Sequence, residues 1–275
     1  MSRPDLSAAW AVADAWPVPF WSAAVVHPGG TETRGDTARG QRIASVSKPL
    51  AAWAVLVAVE EGSVSLDDPV GQEGCTLRHL LCHAGGYPFE GRAPISRPGM
   101  RRHYSNTGID LAADHVAGAA GIEFAEYLAE AVFVPLGMTA SRLDGSPAKD
   151  VHTCADDLVS FLAELRNPRL ISPALRDEAV APVFPALAGI VPGLGSYDPC
   201  PWGLGFEVRG AKSPHWTASQ SSPATFGHFG GIGTFLWRDP VADVGCVMLA
   251  ERDFSKWGLV HWPPFSNAVL EACAT

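Results

Sequence analysis

Apolar positions group into blocks whose length and spacing predict the elements. "DLSAAWAVADAW" reads as a short helix, with Asp5 or Ser7 as its cap. "WSAAVVHPGGTETRG" predicts a strand, a Gly-Gly turn and the start of a second strand. The apolar run over 46–61 has the length of a buried helix. Stretches 76–83, 107–120, 123–133 and 155–166 predict further helices separated by Gly and Pro, whereas 185–224, rich in Gly, Pro and Ser, reads as loop with short strands. Two strand-like runs follow, "TFLWRDP" and "DVGCVMLAE", and a last helix is expected near 265–273. No repeat or low-complexity tract interrupts the series.

Strands at both ends and helices between them predict an α/β (α+β) fold. Its antiparallel sheet joins the two chain ends, flanked by helices, with an inserted helical lobe on one side. As one unit over 1–275, residues 1–45 and about 200–275 form the sheet lobe and about 46–199 the mostly helical lobe. The cleft between them is the natural ligand site. Composition agrees with a packed interior: 47% of residues are hydrophobic and 18% charged. A net charge of −9 and no dense Lys/Arg run argue against a nucleic-acid or anionic-membrane partner. Asp5, Asp14 and Pro17 interrupt the N-terminal stretch, so no signal peptide or membrane span is read and a cytoplasmic protein is expected. Cys75, Cys82, Cys154, Cys200, Cys246 and Cys273 show no paired rhythm and are expected as reduced thiols.

The candidate chemistry lies where the long apolar helix begins, at Ser45-Val46-Ser47-Lys48. Helix positions three apart share a face, so hydroxyl and amine would stand side by side. Serine needs a base to become a nucleophile, and lysine can serve if desolvation lowers its pKa. With Ser45 as N-cap, Pro49 takes the fourth position, where the missing N–H has no intrahelical partner anyway. By itself the pair is equally a capping serine with an incidental lysine. Ser146-Pro147-Ala148-Lys149 repeats the spacing in a Gly/Pro loop with no apolar helix directly behind it.

Two further motifs follow in order. Tyr104-Ser105-Asn106 is the one Tyr-x-Asn in the chain, and His228-Phe229-Gly230 leads into the C-terminal strands. Together with "RIASVSKP", "GSVSLDDPV", "TLRHLLCHAGGYP" and "WGLGFEV", they resemble the serine β-lactamase and penicillin-binding-protein superfamily, in its class C β-lactamase, D-alanyl-D-alanine carboxypeptidase and related esterase branch. The likeness runs from about residue 42 to 250. It implies a β-lactamase/transpeptidase-like fold and an acyl-enzyme hydrolase with no cofactor and a small-molecule acyl substrate. In that reading Ser45 is the nucleophile and Lys48 its base or proton relay. Tyr104 is the second base, its phenol lowered by Lys48 or a protonated His228. Asn106 holds Lys48 or the substrate amide, and the backbone N–H groups of Ser45 and Gly231 form the oxyanion hole. His27-Pro28-Gly29, His83-Ala84-Gly85 and Lys256-Trp257-Gly258 imitate the third motif, but order and strand context select His228.

The chain departs from the family pattern at Phe229, where relatives that bind a β-lactam or D-Ala carboxylate commonly carry Thr or Ser. Phenylalanine offers no donor for that carboxylate, and His228 in place of lysine makes the site's charge pH-dependent. The segment 31–41 is short, and no secretion signal is read. These features favour small esters or amides, with β-lactams or D-Ala peptides as the alternative and a non-catalytic ligand sensor as a third reading. A competing metal reading rests on Cys75, His79, Cys82 and His83, with the two histidines four apart on one helix. It lacks the ligand order of a structural zinc site, so no metal is expected.

Overall fold

A computed structural model describes residues 3–274. Helix α1 (Ser7–Asp14) precedes strands β1 (Trp21–His27), β2 (Gly30–Arg34) and β3 (Gln41–Arg42), and a 3₁₀ turn (Ala44–Val46) leads into helix α2 (Ser47–Glu60). Helices α3 (Leu77–Leu81), α4 (Asn106–Ala120), α5 (Phe124–Leu128) and α6 (Val134–Leu136) come next, the last two joined by a π-helical turn. Then follow strands β4 (Arg142–Leu143) and β5 (Val151–Thr153), helices α7 (Ala155–Arg166) and α8 (Pro173–Val180), and strands β6 (Gly189–Val191), β7 (Gly195–Tyr197) and β8 (Glu207–Val208). Strands β9 (Phe226–Gly230), β10 (Thr234–Asp239) and β11 (Val244–Ala250) and helix α9 (Lys256–Cys273) complete the chain.

The expected sheet is present. Its order is β2-β1-β11-β10-β9-β8, antiparallel throughout, with Ala24 opposite Val247 and Leu236 opposite His228. Every residue of β10 and β11 is buried, because both faces are covered. With side chains alternating at period two, Leu236, Val247 and Leu249 join one core with α2 and α7. Phe235, Trp237, Cys246 and Met248 join a second core beneath α1 and α9. Helix α2 is buried on all sides from Ser47 to Ala58, which explains its unbroken apolar sequence. Helix α7 packs on β1 and β11, so it covers the sheet although its sequence lies within the central stretch.

Four details differ from the sequence reading. Ser45 is not the cap of α2: it sits in the preceding 3₁₀ turn, and Pro49 is the third residue of the helix, still within the first four donors. Helix α9 starts at Lys256, not near 265, and runs through Pro263 and Pro264. An interior proline costs about 3 kcal/mol. Here the burial of Trp257, Trp262 and Phe265 against the sheet offsets it, with Trp262 and Phe235 ring centroids 5.1 Å apart. Helix α8 went unread, although Ser172 caps it by accepting the N–H of Leu175 and Pro173 opens it. At the N-terminus the cap position of α1 falls on Leu6, with no side-chain cap, and not on Asp5 or Ser7, although Asp5 accepts the Ser7 N–H at 3.0 Å.

One buried cation ties the two regions that wall the cleft. The Arg102 guanidinium donates to the carbonyls of Cys82 (2.7 Å), Cys200 (2.5 Å), Phe184 (2.8 Å) and Val183. It thereby fastens the end of α3 to the loop that carries β6 and Trp202. Arg102→Met leaves four carbonyls without their donor and is expected to lower stability by about 2–4 kcal/mol. This would be read as a lower urea midpoint at unchanged m-value; an unmoved midpoint would show that the desolvation cost of the guanidinium cancels its bonds.

Candidate active site

The turn that presents Ser45 is held in an unfavourable conformation. Ala44 has φ +47°, a region an L side chain seldom occupies. Neighbours clamp it on both sides. The Ser47 hydroxyl donates to the Ala44 carbonyl at 2.6 Å and accepts the Val151 N–H at 3.0 Å, and the Thr234 hydroxyl donates to the Ile43 carbonyl at 2.8 Å. Gly230 lets β9 pass directly against this turn: a Cβ there would lie 2.4 Å from the Ile43 carbonyl and 2.2 Å from Thr234 Oγ1. At Gly231 a Cβ would meet no protein atom within 4 Å, so the steric need for glycine falls on Gly230.

Lys48 is fully buried, and its amine has three acceptors in reach: Asn106 Oδ1 at 2.6 Å, the Ala148 carbonyl at 3.0 Å and Ser45 Oγ at 3.3 Å. The Asn106 amide is oriented by its other end, where Nδ2 donates to Glu90 at 2.8 Å; Glu90 in turn accepts Lys149 Nζ at 2.7 Å. Burial pushes the Lys48 amine down to about 7, against the pull of Asp110 and Glu90 and with a small push from Lys149. Near neutral pH the amine is therefore substantially uncharged. Its two N–H bonds are then used on Asn106 and Ala148, which leaves the lone pair for the Ser45 hydroxyl.

The Tyr104 ring lies 4.6 Å from Lys48 Nζ, and its hydroxyl interacts with Ser45 and stands 3.4 Å from His228 Nε2. His228 Nδ1 lies 2.7 Å from the Phe229 carbonyl, which can only accept, so Nδ1 carries the proton and Nε2 faces Tyr104 as an acceptor. Burial, then Lys48, pushes His228 down to about 3, and burial raises the Tyr104 phenol well above its ordinary value. Two expectations are corrected by this. His228 is neutral across the physiological range and does not make the site's charge pH-dependent, and it supplies no cation to lower Tyr104. Both changes have one cause, the burial of these groups away from water.

Ser45, Tyr104, His228, Phe229 and Gly231 open on a cavity of about 200 Å³, walled further by Phe89, Val191, Pro192, Gly193, Trp202 and Phe254. Phe229 packs its ring 4.6 Å from Phe254 and 5.6 Å from Trp216. Trp216 is fixed from behind by a buried Glu207 that accepts its indole N–H at 2.6 Å and pairs with Lys212 at 3.0 Å. Of the predicted site residues, Ser45, Tyr104, His228, Phe229 and Gly231 line this cavity, Lys48 contacts Ser45 and Asn106 behind it, and Gly230 packs against the turn at Ile43. Sequence reasoning missed Glu90, Asp110 and the 146–149 segment. The signal was the second Ser-x-x-Lys: Ser146 donates to Asp110 at 2.6 Å, the Ala148 carbonyl accepts a Lys48 N–H at 3.0 Å and Lys149 donates to Glu90 at 2.7 Å. It is the clamp on the first lysine.

The metal reading does not survive the geometry. Helix α3 ends at Leu81 and His83 has φ +61°, so His79 and His83 do not share a helix face. His79 Nδ1 serves the Thr76 capping box and His83 Nδ1 accepts the Ser105 N–H at 3.2 Å. Among the described residues no group of three or more His, Cys, Asp or Glu side chains could hold a metal ion, no helix is long and apolar enough to cross a membrane, and all six cysteines are free thiols.

Comparison with known proteins follows the same line. The family model described as Beta-lactamase matches residues 22–264. A β-lactamase crystal structure from Mycobacterium bovis superposes with a TM-score of 0.95 at 47% identity, covering 97% of this chain and 100% of that one. EstCE1, a hydrolase with promiscuous acyltransferase activity, shares the fold at 17% identity, with a TM-score of 0.75 and 96% of each chain covered. The curated relative, Penicillin-binding protein 4* of Bacillus subtilis (strain 168), is 28% identical over a match of 37% of this chain and 30% of that protein, so the match spans about a third of the relative's length.

The buried amine has a measurable signature in stability. Its pKa is near 7 folded and near 10.5 unfolded, so between these values the unfolded chain binds more protons and the Lys48 contribution to stability rises with pH. Relative to Lys48→Met, the native protein is expected to gain about 2–3 kcal/mol between pH 7.5 and 9.5. Paired urea titrations would read it; a pH-independent difference would place the folded pKa near its ordinary value.

Proposed function

The chain belongs to the β-lactamase family, and within that family we propose a serine hydrolase that works through an acyl-enzyme on Ser45 and takes small uncharged esters or amides. The observation that carries this reading is the fully buried Lys48 amine, 3.3 Å from Ser45 Oγ and held by Asn106 and Ala148; once uncharged, it has a lone pair for the serine proton. As Ser45 Oγ bonds the carbonyl carbon, its proton passes to Lys48. The ester C–O bond breaks, and the departing alkoxide takes a proton relayed from Lys48 through the Tyr104 hydroxyl. Water then adds to the acyl carbon and returns a proton by the same path, the carboxylic acid leaves, and Ser45 regains its hydrogen. The backbone N–H groups of Ser45 and Gly231, both at the cavity wall, would receive the oxyanion.

The substrate preference rests on the cavity wall. Apart from the reacting groups it offers Phe89, Val191, Pro192, Trp202, Phe229 and Phe254, with no cation or hydroxyl aimed at a substrate carboxylate. A carboxylate moved into such a wall would lose its hydration without replacement. A second reading, hydrolysis of β-lactams or D-Ala peptides, is favoured by the 47% identity to the M. bovis β-lactamase.

The deciding test incubates the protein with p-nitrophenyl acetate and butyrate, and separately with nitrocefin and a fluorescent penicillin, and reads intact mass against Ser45→Ala. Ester turnover that vanishes in Ser45→Ala, with little penicillin labelling, is expected. Rapid nitrocefin hydrolysis would move the protein to the second reading, and neither adduct nor turnover would point to a ligand sensor.

The pH profile gives an independent check. Because the neutral amine is the active form, kcat/KM should rise with pH through an apparent pKa near 7, and His228→Gln should leave that limb in place. Removing the positive charge in Lys149→Met should move the limb up; removing the negative one in Glu90→Gln should move it down. Shifts of the same sign in both variants would sink the assignment to Lys48.

A further inference from the structure

Beyond the catalytic cavity lies a second, larger hollow of about 430 Å³, and the two share Phe89, Tyr104 and Pro192 as a common wall. Its remaining lining includes Pro88, Ile95 and Ile190. Three of these apolar side chains stand far out in solvent: Phe89 is 53% exposed, Ile95 58% and Ile190 48%. Exposed apolar residues gathered around one concavity, and continuous with a reactive site, mark a ligand surface more than chance does. The one charged side chain in its lining is buried, with its donors already engaged. The Arg102 guanidinium at its floor is spent on four backbone carbonyls. Burial, then Arg101, lowers the pKa of His103, so its ring is neutral at physiological pH.

Tyr104 decides which end of a substrate this hollow receives. It borders both compartments, and its hydroxyl is beside Ser45 and His228 in the inner one. A group that leaves the acyl carbon on Ser45 while taking its proton from Tyr104 departs on the Tyr104 side. The Tyr104 ring is backed by Phe89, stacked at 5.9 Å with planes 19° apart, which continues an aromatic surface into the outer groove. The geometry points to the outer groove as the subsite for the leaving alcohol of an uncharged ester, so that the substrates combine a short acyl group in the inner cavity with an extended alkyl or aryl alcohol lying against Phe89, Ile95 and Ile190. This rests on the acyl-enzyme reading above and deepens it.

The test separates the two ends of the substrate. With butyrate esters of ethanol, butanol and hexanol, kcat/KM should climb about two- to fourfold per added methylene while the chain is covered by the groove. With ethyl esters, extending the acid from butyrate to octanoate should lower it. Ile95→Asn and Ile190→Asn, whose folding is checked by thermal melts, should cut hexyl butyrate turnover at least fivefold and leave ethyl butyrate within twofold. A binding measurement that needs no chemistry accompanies it. Undecan-4-one, the ketone isostere of hexyl butyrate, should bind Ser45→Ala more tightly than heptan-4-one by tryptophan fluorescence titration, and Ile190→Asn should erase the difference.

Ester turnover that is indifferent to alcohol length, or falls equally for ethyl and hexyl esters in the variants, would overturn the groove assignment and leave the hydrolase reading standing. No turnover of any ester, combined with an Ile190-dependent preference for the longer ketone, would do the reverse.

Discussion

A lysine amine removed from water must lose its proton or be met by acceptors on every side, and Lys48 is held at the balance of the two. Full desolvation lowers its pKa, while Asp110 and Glu90 oppose it from a distance. The acceptors in contact are two neutral carbonyl oxygens and the Ser45 hydroxyl. Had either neutral acceptor been a carboxylate, the amine would stay charged and have no lone pair to offer. The surroundings follow from this requirement. Asn106 must be fixed by its far end, the 146–149 segment must bring a carbonyl close, and the aromatic ring of Tyr104 must close the remaining side without adding charge.

The apolar cavity continues the same logic outward. The rings of Trp202 and Phe229 pack against His228 at 5.6 and 6.2 Å, and with Phe254 they wall the cavity. Phe229 does not stand in for a missing hydroxyl; it is anchored in an aromatic layer shared with Trp216, Phe254 and Trp262. Replacing it by serine would open the layer as well as add a donor, so the position cannot be changed without disturbing its aromatic neighbours.

Much of this was legible in the sequence, for identifiable reasons. Strands from both ends, the helical middle and the motif residues Ser45, Lys48, Tyr104, Asn106 and His228 all announce themselves through local pattern or fixed spacing. What stayed hidden depends on distance in sequence. Glu90 is an ordinary loop carboxylate until Asn106 arrives beside it, and Ser146 to Lys149 reads as a chance match until the fold wraps it around Lys48. The ionisation of His228 and Tyr104 is not legible in the sequence because burial is a property of the assembled lobes. Helix α9 was shortened in the reading because two prolines signal a break locally, whereas the aromatic face of Trp257, Trp262 and Phe265 outweighs them only once the sheet is there.

The sheet pairs Trp21 with Ala250, nearly the whole chain apart. On the ribosome, the first strand therefore emerges long before its central neighbour exists, and the turn bearing Ser45 lacks the Thr234 and Gly230 contacts that hold Ala44 in its unfavourable conformation. Such non-local closure is slow relative to helix formation. A nascent chain missing its final fifth would carry every residue of the first two motifs and still lack the contacts that set the turn bearing Ser45, so the proposed site is assembled only when synthesis is essentially finished.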